Sequence, residues 1–423
     1  MPLPDPATAT VWAIAALATA GVIARPFDWP EYVWALGGAL ILVASGLLPP
    51  QAALAGVSKG TDVYLFLAGM MLLAELARQE GLFDWLAARA ARQARGSAAR
   101  LFTLVFAVGT VVTVFLSNDA TAVVLTPAVA AVARAAKVRT PLPYLFICAF
   151  IANAASFVLP ISNPANLVIY ASHMPPLLAW LPRYTLASAL SIAATYVVLR
   201  LTQRADLRAP ISTEIDLPTL RPGGGVAAAG LAGTAGVLLA ASGLGIELGL
   251  PTFLAGVATA GLVLLRTRAG SAALLRGVSW GVLPLVAGLF VLVEALERTG
   301  VTAAVASSLH ELAQHSAADA AWVSGVAVGI GTNLVNNLPA GLVAGRVVAL
   351  AEAPERVRAA VLIGVDLGPN LSVTGSLATI LWLSALRREG ISVGAWTFLK
   401  LGLLVTPPAL LLALAGASIG PMR

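Results

Sequence analysis

Twelve apolar stretches, most of them long enough to cross a lipid bilayer, run along this sequence. A transmembrane helix needs about 20 predominantly apolar residues. Only 11% of the 423 residues are charged, whereas about 25% are charged in typical soluble proteins. The sequence therefore predicts an all-α polytopic membrane protein. The candidate segments are 8–24, 31–48, 62–77, 101–133, 143–172, 183–199, 225–243, 250–265, 278–296, 318–350, 359–386 and 394–415.

Several classes of site are excluded by residue counts. The single cysteine, Cys148, rules out a disulfide scaffold and a cysteine-ligated metal centre. Three histidines are too few for a histidine-rich metal core, so neither a cofactor nor a metal site is indicated. The net charge of +6 does not indicate nucleic-acid binding, because basic residues in membrane proteins report topology. No ATP-binding motif is present, so any transport by this chain alone is driven by a gradient.

Two of the apolar segments are too long for one crossing and carry a polar cluster in the middle. These are 101–133 and 318–350. Basic residues flank the first of them on both sides, within 78–100 and 134–139. If this segment dips into the membrane and returns, both basic clusters lie on the cytoplasmic face, as the positive-inside rule requires. With the second long segment treated alike, we expect ten transmembrane helices and two re-entrant hairpins.

The two halves of the chain match each other. Gly69, Glu75, Gly81 and Asn118 recur 219 residues later as Gly288, Glu294, Gly300 and Asn337, and 159–164 corresponds to 371–376 at an offset of 212. Each half holds five spans, so the second half is expected to enter the membrane upside down. Inverted repeats with broken helices are typical of secondary transporters. The predicted division is a first half, 1–199, a cytoplasmic linker, 200–224, and an inverted second half, 225–423.

Polar residues cluster where the helices are expected to break, at the hairpin tips and in 143–172 and 359–386. Broken backbone in hydrocarbon is tolerated only where it is buried in protein or lines a wet cavity. Four breaks meeting at the bilayer midplane would form one amide- and hydroxyl-lined pocket. The candidate substrate-binding residues are Ser117, Asn118, Thr121, Asn163, Asn166, Asn336, Asn337, Thr374 and Ser376.

The pocket predicted in this way is mostly uncharged. No lysine or arginine lies near the tips, which argues against a strongly anionic substrate and favours a small neutral hydroxylated solute or a bare cation. Carboxylates inside a membrane are costly and are functional candidates by default. Asp119 and Asp366 are therefore the candidates for proton coupling. For Asp119 the alternative is capping of the following helix, and Asp366 remains open between a functional and a structural role.

Four runs resemble the arsenical efflux permeases of the ArsB type, which belong to the wider ion-transporter superfamily. The run from Gly364 to Ser376 points most narrowly to the arsenite branch. The resemblance covers nearly the whole chain. The matching runs are Phe115-Leu116-Ser117-Asn118-Asp119-Ala120-Thr121-Ala122, Ile161-Ser162-Asn163-Pro164-Ala165-Asn166, Asn336-Asn337-Leu338-Pro339-Ala340-Gly341 and Gly364-Val365-Asp366-Leu367-Gly368-Pro369-Asn370-Leu371-Ser372-Val373-Thr374-Gly375-Ser376.

The resemblance implies export of arsenite and antimonite as neutral As(OH)3 and Sb(OH)3, in exchange for protons, by alternating access. It implies a multi-pass protein of the cell inner membrane whose partners are the metalloid, protons and lipid. Some relatives also dock a soluble ATPase subunit, for which the arginine-rich stretch 78–100 is the candidate surface.

Two other functions stay open on the residues alone. A sodium-coupled dicarboxylate symporter of the same superfamily would use oxygen cages at the tips, but it needs a basic group for the anion, and none is found there. An intramembrane enzyme would need a catalytic pair, for which only Asp119 and Asp366 are available. We therefore expect a transporter and no enzymatic activity.

Overall fold

The first half of the protein is built entirely from helices in the computed structural model, which describes residues 5–170, 174–268 and 270–419. A π-helical turn, Thr121–Leu125, interrupts the return arm of the first hairpin. Residues 155–163 separate two helices of one broken span. The helices are α1 Pro6–Ala24, α2 Glu31–Ala44, α3 Pro50–Ser58, α4 Thr61–Gln79, α5 Leu82–Ala94, α6 Ala98–Phe115, α7 Asn118–Ala120, α8 Thr126–Ala135, α9 Leu142–Ala154, α10 Pro164–Tyr170 and α11 Leu177–Thr202.

The second half repeats this order. Residues 368–376 interrupt its broken span. The hairpin of this half, which is the second hairpin of the chain, has no π-helical turn in its return arm. The helices are α12 Gly224–Gly243, α13 Gly249–Thr267, α14 Ser271–Gly277, α15 Val282–Arg298, α16 Val301–His315, α17 Ala317–Val335, α18 Asn337–Leu350, α19 Glu355–Leu367, α20 Leu377–Arg388 and α21 Ala395–Ile419.

As far as the hairpins, corresponding helices start within two residues of the predicted offset of 219, and beyond the hairpins they depart from it. α7 and α18 begin 219 residues apart, at Asn118 and Asn337. Beyond them α9 and α19, each 13 residues long, begin 213 residues apart, as do α10 and α20. The predicted offset of 212 for the broken spans was therefore wrong by one residue, and Asn163 corresponds to Ser376. The offset falls because the first hairpin has a longer return arm and a longer exit loop.

Both ends of the first hairpin lie side by side. The linker residues Ile211 and Ser212 donate backbone hydrogen bonds to the carbonyls of Gly96 and Ala136, at 3.0 and 2.8 Å. One carbonyl precedes α6 and the other follows α8, so the segment leaves where it entered. The linker thus clamps the base of the hairpin.

The second hairpin has the same geometry, shown by its neighbour α19. α17 and α19 run parallel, because Gly325 faces Ala360 and Gly329 faces Gly364 along their length. Both helices therefore start at the same face. Only residues 351–354 connect α18 to α19, so α18 must return to that face.

The remaining long helices exchange partners between the halves. A Cβ on Gly69 of α4 would overlap the backbone of Thr252 in α13, and one on Gly288 of α15 would lie 2.7 Å from the Ala35 carbonyl carbon in α2. Small residues allow helices to approach this closely in a membrane. Four short helices, α3, α5, α14 and α16, were not predicted.

Helix length alone does not determine how many helices cross the membrane. Eight segments of the described ranges, one of them α14 together with α15, are long and apolar enough to cross a membrane, or nine if the bent pair α3–α4 is one span. α6 and α17 are among the eight, although the contacts above assign them to hairpins. The halves of the two broken spans are short individually. The count of ten crossings plus two hairpins stays a prediction.

Candidate functional site

The two broken spans lie against each other and run in opposite directions. Four hydrogen bonds show this, because the residue number rises along α9–α10 while it falls along α19–α20. The contact is antiparallel, as the predicted inverted repeat requires. In order, the bonds are Trp382 Nε1 to the Leu145 carbonyl at 2.9 Å, Asn153 Nδ2 to Asn370 Oδ1 at 3.0 Å, Asn163 Nδ2 to Asp366 Oδ1 at 2.8 Å, and the Tyr170 hydroxyl to Glu355 Oε1 at 2.8 Å.

Asp366 and Asn163 form the central polar contact of this crossing. Asp366 is fully buried at the C-terminal end of α19, and its Oδ2 has no hydrogen-bond partner. Burial and the negative end of the helix dipole both make an ionised carboxylate costly there. Asn163 uses its Oδ1 to accept a hydrogen bond from the Ala165 backbone at 3.0 Å. Its amide nitrogen is thereby aimed at Asp366.

Asn153 and Asn370 form a second, fully buried contact. Asn370 also donates to the Phe150 carbonyl at 2.9 Å, whereas Asn153 Oδ1 has no partner. Neither residue was in the predicted binding set. An asparagine inside the apolar helix 142–154 was the available signal for Asn153, since buried amides need partners.

The first break is held by its own side chains. Asn166 donates to the Ser156 carbonyl at 2.9 Å, and Ser162 donates to the Val114 carbonyl near the first hairpin tip at 2.9 Å. Asn166 therefore closes the loop that precedes it, while its Oδ1 stays unpartnered. Its amide nitrogen is engaged in structure rather than directed toward a ligand.

The second hairpin tip is tied to the second break through Asn333. Its Nδ2 donates to the Gly368 carbonyl at 3.1 Å, its Oδ1 accepts from Ser372 at 2.7 Å, and its carbonyl accepts from Thr374 at 2.8 Å. Asn336 adds a 3.3 Å bond to the Thr374 carbonyl. Asn333 lay in the predicted polar cluster but not in the predicted binding set.

The predicted residues Ser376 and Asn337 have different environments. Ser376 is the N-cap of α20 and accepts from the Thr379 backbone at 3.1 Å. Asn337 is buried at the start of α18, and no side-chain hydrogen bond of it appears among the described contacts. An unengaged buried amide remains able to bind a ligand.

At the first hairpin tip, the helix cap and the ionisable side chain are different residues. Ser117 caps α7 by accepting from the Ala120 backbone at 3.2 Å, and Asn118 accepts from the Asp119 backbone at 2.9 Å. Thr121 is buried against Thr113 at 2.8 Å. The helix cap is therefore Ser117. The Asp119 carboxylate is half-buried, and the described hydrogen bonds include none to it.

No described hydrogen bond joins Asp119 to Asp366, and none links a lysine or arginine to the predicted site residues. Glu75 and Glu294, which are related by the offset of 219, form ion pairs with basic side chains near helix ends. Glu75 pairs with Arg78 at 2.5 Å, and Glu294 pairs with Lys59 at 2.6 Å.

The chain is similar to known proteins in sequence and in fold. The model of the CitMHS family, described as citrate transporters, matches residues 14–365. The chain belongs to this family. An arsenical pump membrane protein of Escherichia coli is 28% identical over 382 residues, covering 83% of this chain and 84% of that protein. A second, from Escherichia coli K12, is 27% identical over 415 residues, covering 91% and 92%.

These likenesses confirm the resemblance to the arsenical efflux permeases and place this CitMHS-family transporter in the ion-transporter superfamily. Two solved structures share its fold. The YdaH transporter of Alcanivorax borkumensis has a TM-score of 0.55 at 19% identity, over 98% of this chain and 97% of that one. MtrF of Neisseria gonorrhoeae has a TM-score of 0.55 at 13% identity, over 99% and 95%.

Proposed function

We propose that this protein exports arsenite and antimonite from the cell, as neutral As(OH)3 and Sb(OH)3, in exchange for protons. The observation that carries the proposal is the crossing of the two broken spans, where the Asn163 amide contacts one fully buried carboxylate, Asp366, whose second oxygen is unpartnered. A trihydroxide both donates and accepts hydrogen bonds, as asparagine, serine and threonine do. The arsenical pumps among the relatives support this choice of substrate.

The solute would bind by competing for the Asn163–Asp366 contact. One hydroxyl of the trihydroxide would accept from Asn163 Nδ2, and another would donate to the Asp366 carboxylate. Asn118, Asn337 and the polar residues of the second break would complete the pocket. In this scheme the crossing is closed by its own side chains when no solute is bound.

Proton exchange follows from the same competition. With a proton on Asp366, one carboxyl oxygen becomes a hydrogen-bond donor and the negative charge is lost, so the group becomes a poorer partner for a donating solute. Proton entry would thus release the metalloid, and proton loss would restore its site. Asp119, half-buried at the first tip, is the second proposed proton carrier.

Everted membrane vesicles test the proposal directly. Arsenite should accumulate in vesicles acidified inside, and collapse of the pH gradient should abolish the accumulation. Empty-vector vesicles are the control, and antimonite should compete whereas citrate should not. Accumulation that requires a sodium gradient, together with transport of citrate, would instead establish the dicarboxylate symport alternative. Among the described hydrogen bonds, none brings a lysine or arginine to the crossing to bind such an anion.

The proposal places the protein in the inner membrane, with α5 at the cytoplasmic face. Three exposed arginines of the stretch 78–100 would bind a soluble ATPase subunit. They are Arg89, Arg92 and Arg95. The same vesicles test this addition, because purified subunit plus ATP should then raise the rate of arsenite uptake. An unchanged rate would remove the ATPase from the proposal without affecting proton exchange.

A further inference from the structure

Three buried side-chain oxygens of the two broken spans have no hydrogen-bond partner among the described residues. They are Asn153 Oδ1, Asn166 Oδ1 and Asp366 Oδ2, and all three side chains are fully buried. Within the described residues, one other buried side-chain carbonyl or carboxylate oxygen is in this condition, and it belongs to Glu31, which forms an ion pair with Arg25. Unpaired buried acceptors are rare in folded proteins and are explained by strain, by water or by a ligand.

The three side chains meet around Ser156, which is itself fully buried in the first break. The Ser156 hydroxyl donates to the Asn153 carbonyl at 2.8 Å and lies beside the Asp366 carboxylate. The Ser156 carbonyl accepts from Asn166 Nδ2 at 2.9 Å. One residue therefore contacts all three, although they belong to α9, α10 and α19.

Further hydrogen bonds hold both asparagines close to the acid. Asn153 Nδ2 donates at 3.0 Å to Asn370, which follows Asp366 by one helical turn. The Asn166 backbone donates at 3.0 Å to the carbonyl of Asn163, whose own amide binds Asp366 Oδ1 at 2.8 Å. Because Nδ2 of Asn153 and Nδ2 of Asn166 are both occupied, the oxygen is the part of each side chain that is left to bind a ligand.

The three unpaired atoms are all acceptors, so a ligand that satisfies them must supply three donors. None of the described hydrogen bonds brings a lysine or arginine to them, and a single water molecule has only two hydrogens to donate. Ionised carboxylates are acceptors, so a tricarboxylate such as citrate would place acceptors against acceptors. A trihydroxide carries three O–H groups, which is one for each unpaired oxygen.

We propose that Asn153, Asn166 and Asp366 select the solute by its number of hydroxyls, with each hydroxyl of As(OH)3 or Sb(OH)3 donating to one of the three unpaired oxygens. This inference rests on the proposed function and deepens it, because it assigns specificity to two asparagine oxygens. Asn153 lies outside the predicted binding set. Asn166 has two roles in this scheme, since its nitrogen holds the first break and its oxygen binds the solute.

A solute that lacks one hydroxyl tests this selection. Methylarsonous acid, CH3As(OH)2, keeps the arsenic and two hydroxyls and has a methyl group in place of the third. It would leave one buried oxygen unpaired, so its inhibition constant against proton-driven arsenite uptake in everted vesicles should exceed the KM of arsenite at least about tenfold. Equal constants in the wild type, with arsenite uptake intact, would overturn the inference and leave the proposed function standing. Absence of arsenite uptake by the wild type would overturn both.

Variants of Asn153 test whether its oxygen takes part. Asn153→Leu removes the oxygen and offers an apolar group to the methyl, so the ratio of the two constants should fall below about threefold, because arsenite loses a partner and methylarsonous acid does not. Asn333→Leu is the matched control, since Asn333 Oδ1 is already paired with Ser372 at 2.7 Å, and it should keep the wild-type ratio whatever its rate of uptake. Asn153→Ala replaces Asn153→Leu if that variant does not fold. An unchanged ratio in the folded Asn153 variant, or an equal fall in Asn333→Leu, would overturn the assignment of Asn153.

Discussion

The two hairpins are related by the repeat, yet they are held in the protein by different contacts. In the first, α6 packs on α9 through side chains, as Gly109 does against Ile151. In the second, α17 packs on α19 backbone to backbone through Gly325, Gly329 and Gly364. The second hairpin is therefore fixed closely to its broken span, whereas the first has softer contacts and a π-helical turn.

The chemistry of the two tips differs as well. The first tip carries the half-buried Asp119, while the second tip is uncharged and is tied to its break through Asn333. The second half places its buried acid, Asp366, before the break. The two halves thus follow similar paths but differ in the position of the ionisable group, and each half contributes one acid from a different place.

The largest expected effect separates these two acids. Asp366→Asn preserves shape and still accepts from Asn163, but it cannot exchange a proton. We expect proton-driven arsenite uptake in vesicles to fall by more than about tenfold, or 1.4 kcal/mol. Asp119→Asn should reduce uptake less, because no described hydrogen bond joins the Asp119 carboxylate to the crossing of the broken spans.

The matched control for both variants is Glu311→Gln, which removes an exposed carboxylate of α16. Uptake by the Asp366→Asn variant at the wild-type rate, with the wild-type response to pH, would show that the buried acid does not couple transport to protons. A larger loss of uptake in Asp119→Asn than in Asp366→Asn would show that the acid of the first half contributes more to proton coupling than the acid of the second.

A smaller effect distinguishes the packing of the two hairpins. A Cβ at Gly368 would overlap the Gly329 backbone, whereas one at Gly109 would meet a methyl group of Ile151 at 3.0 Å. Overpacking against backbone costs about 1–3 kcal/mol, so Gly368→Ala should lower the unfolding temperature measurably. Gly109→Ala should change it little, because side-chain ends yield and alanine favours the helix by up to about 1 kcal/mol. Thermal unfolding in detergent measures both, and equal losses would contradict the distinction.

Much of this architecture was predictable from sequence, because polar tips inside overlong apolar segments have few physical solutions. The hairpins, the breaks and the offset of 219 at Asn118 and Asn337 follow from that constraint. Short helices such as α5 were missed because they are too short to span a membrane. The offset of the broken spans was misjudged by one residue, since irregular segments lack the periodicity that fixes an alignment.

The individual contacts of the site were less predictable. Asn163 and Asp366 lie about 200 residues apart in the chain, and their pairing depends on how two antiparallel spans register. The polar residues at the predicted breaks included both Asn163 and Asp366. They did not indicate that the Asn166 side chain donates to a carbonyl of the loop before it.

The smallest expected effect concerns the ion pairs of the return arms. Arg346 of α18 binds Glu297 of α15, whereas Arg134 of α8 binds Glu389 at the end of the neighbouring α20. Both arginines are more than a third exposed, so each pair is worth at most about 1 kcal/mol. Neither Arg346→Gln nor Arg134→Gln should change the unfolding temperature by much.

The two variants should differ in transport. Loss of the Arg346 pair frees the second hairpin from α15, and a barrier change of up to about 1 kcal/mol corresponds to a rate change of up to about fivefold. Arg134→Gln leaves the first hairpin attached to its own neighbours and should transport at the wild-type rate. Because high salt screens exposed pairs, the wild type in high salt should approach the rate of Arg346→Gln. Equal rates for both variants and the wild type, at all salt concentrations, would show that the second hairpin does not move against α15 in the rate-limiting step.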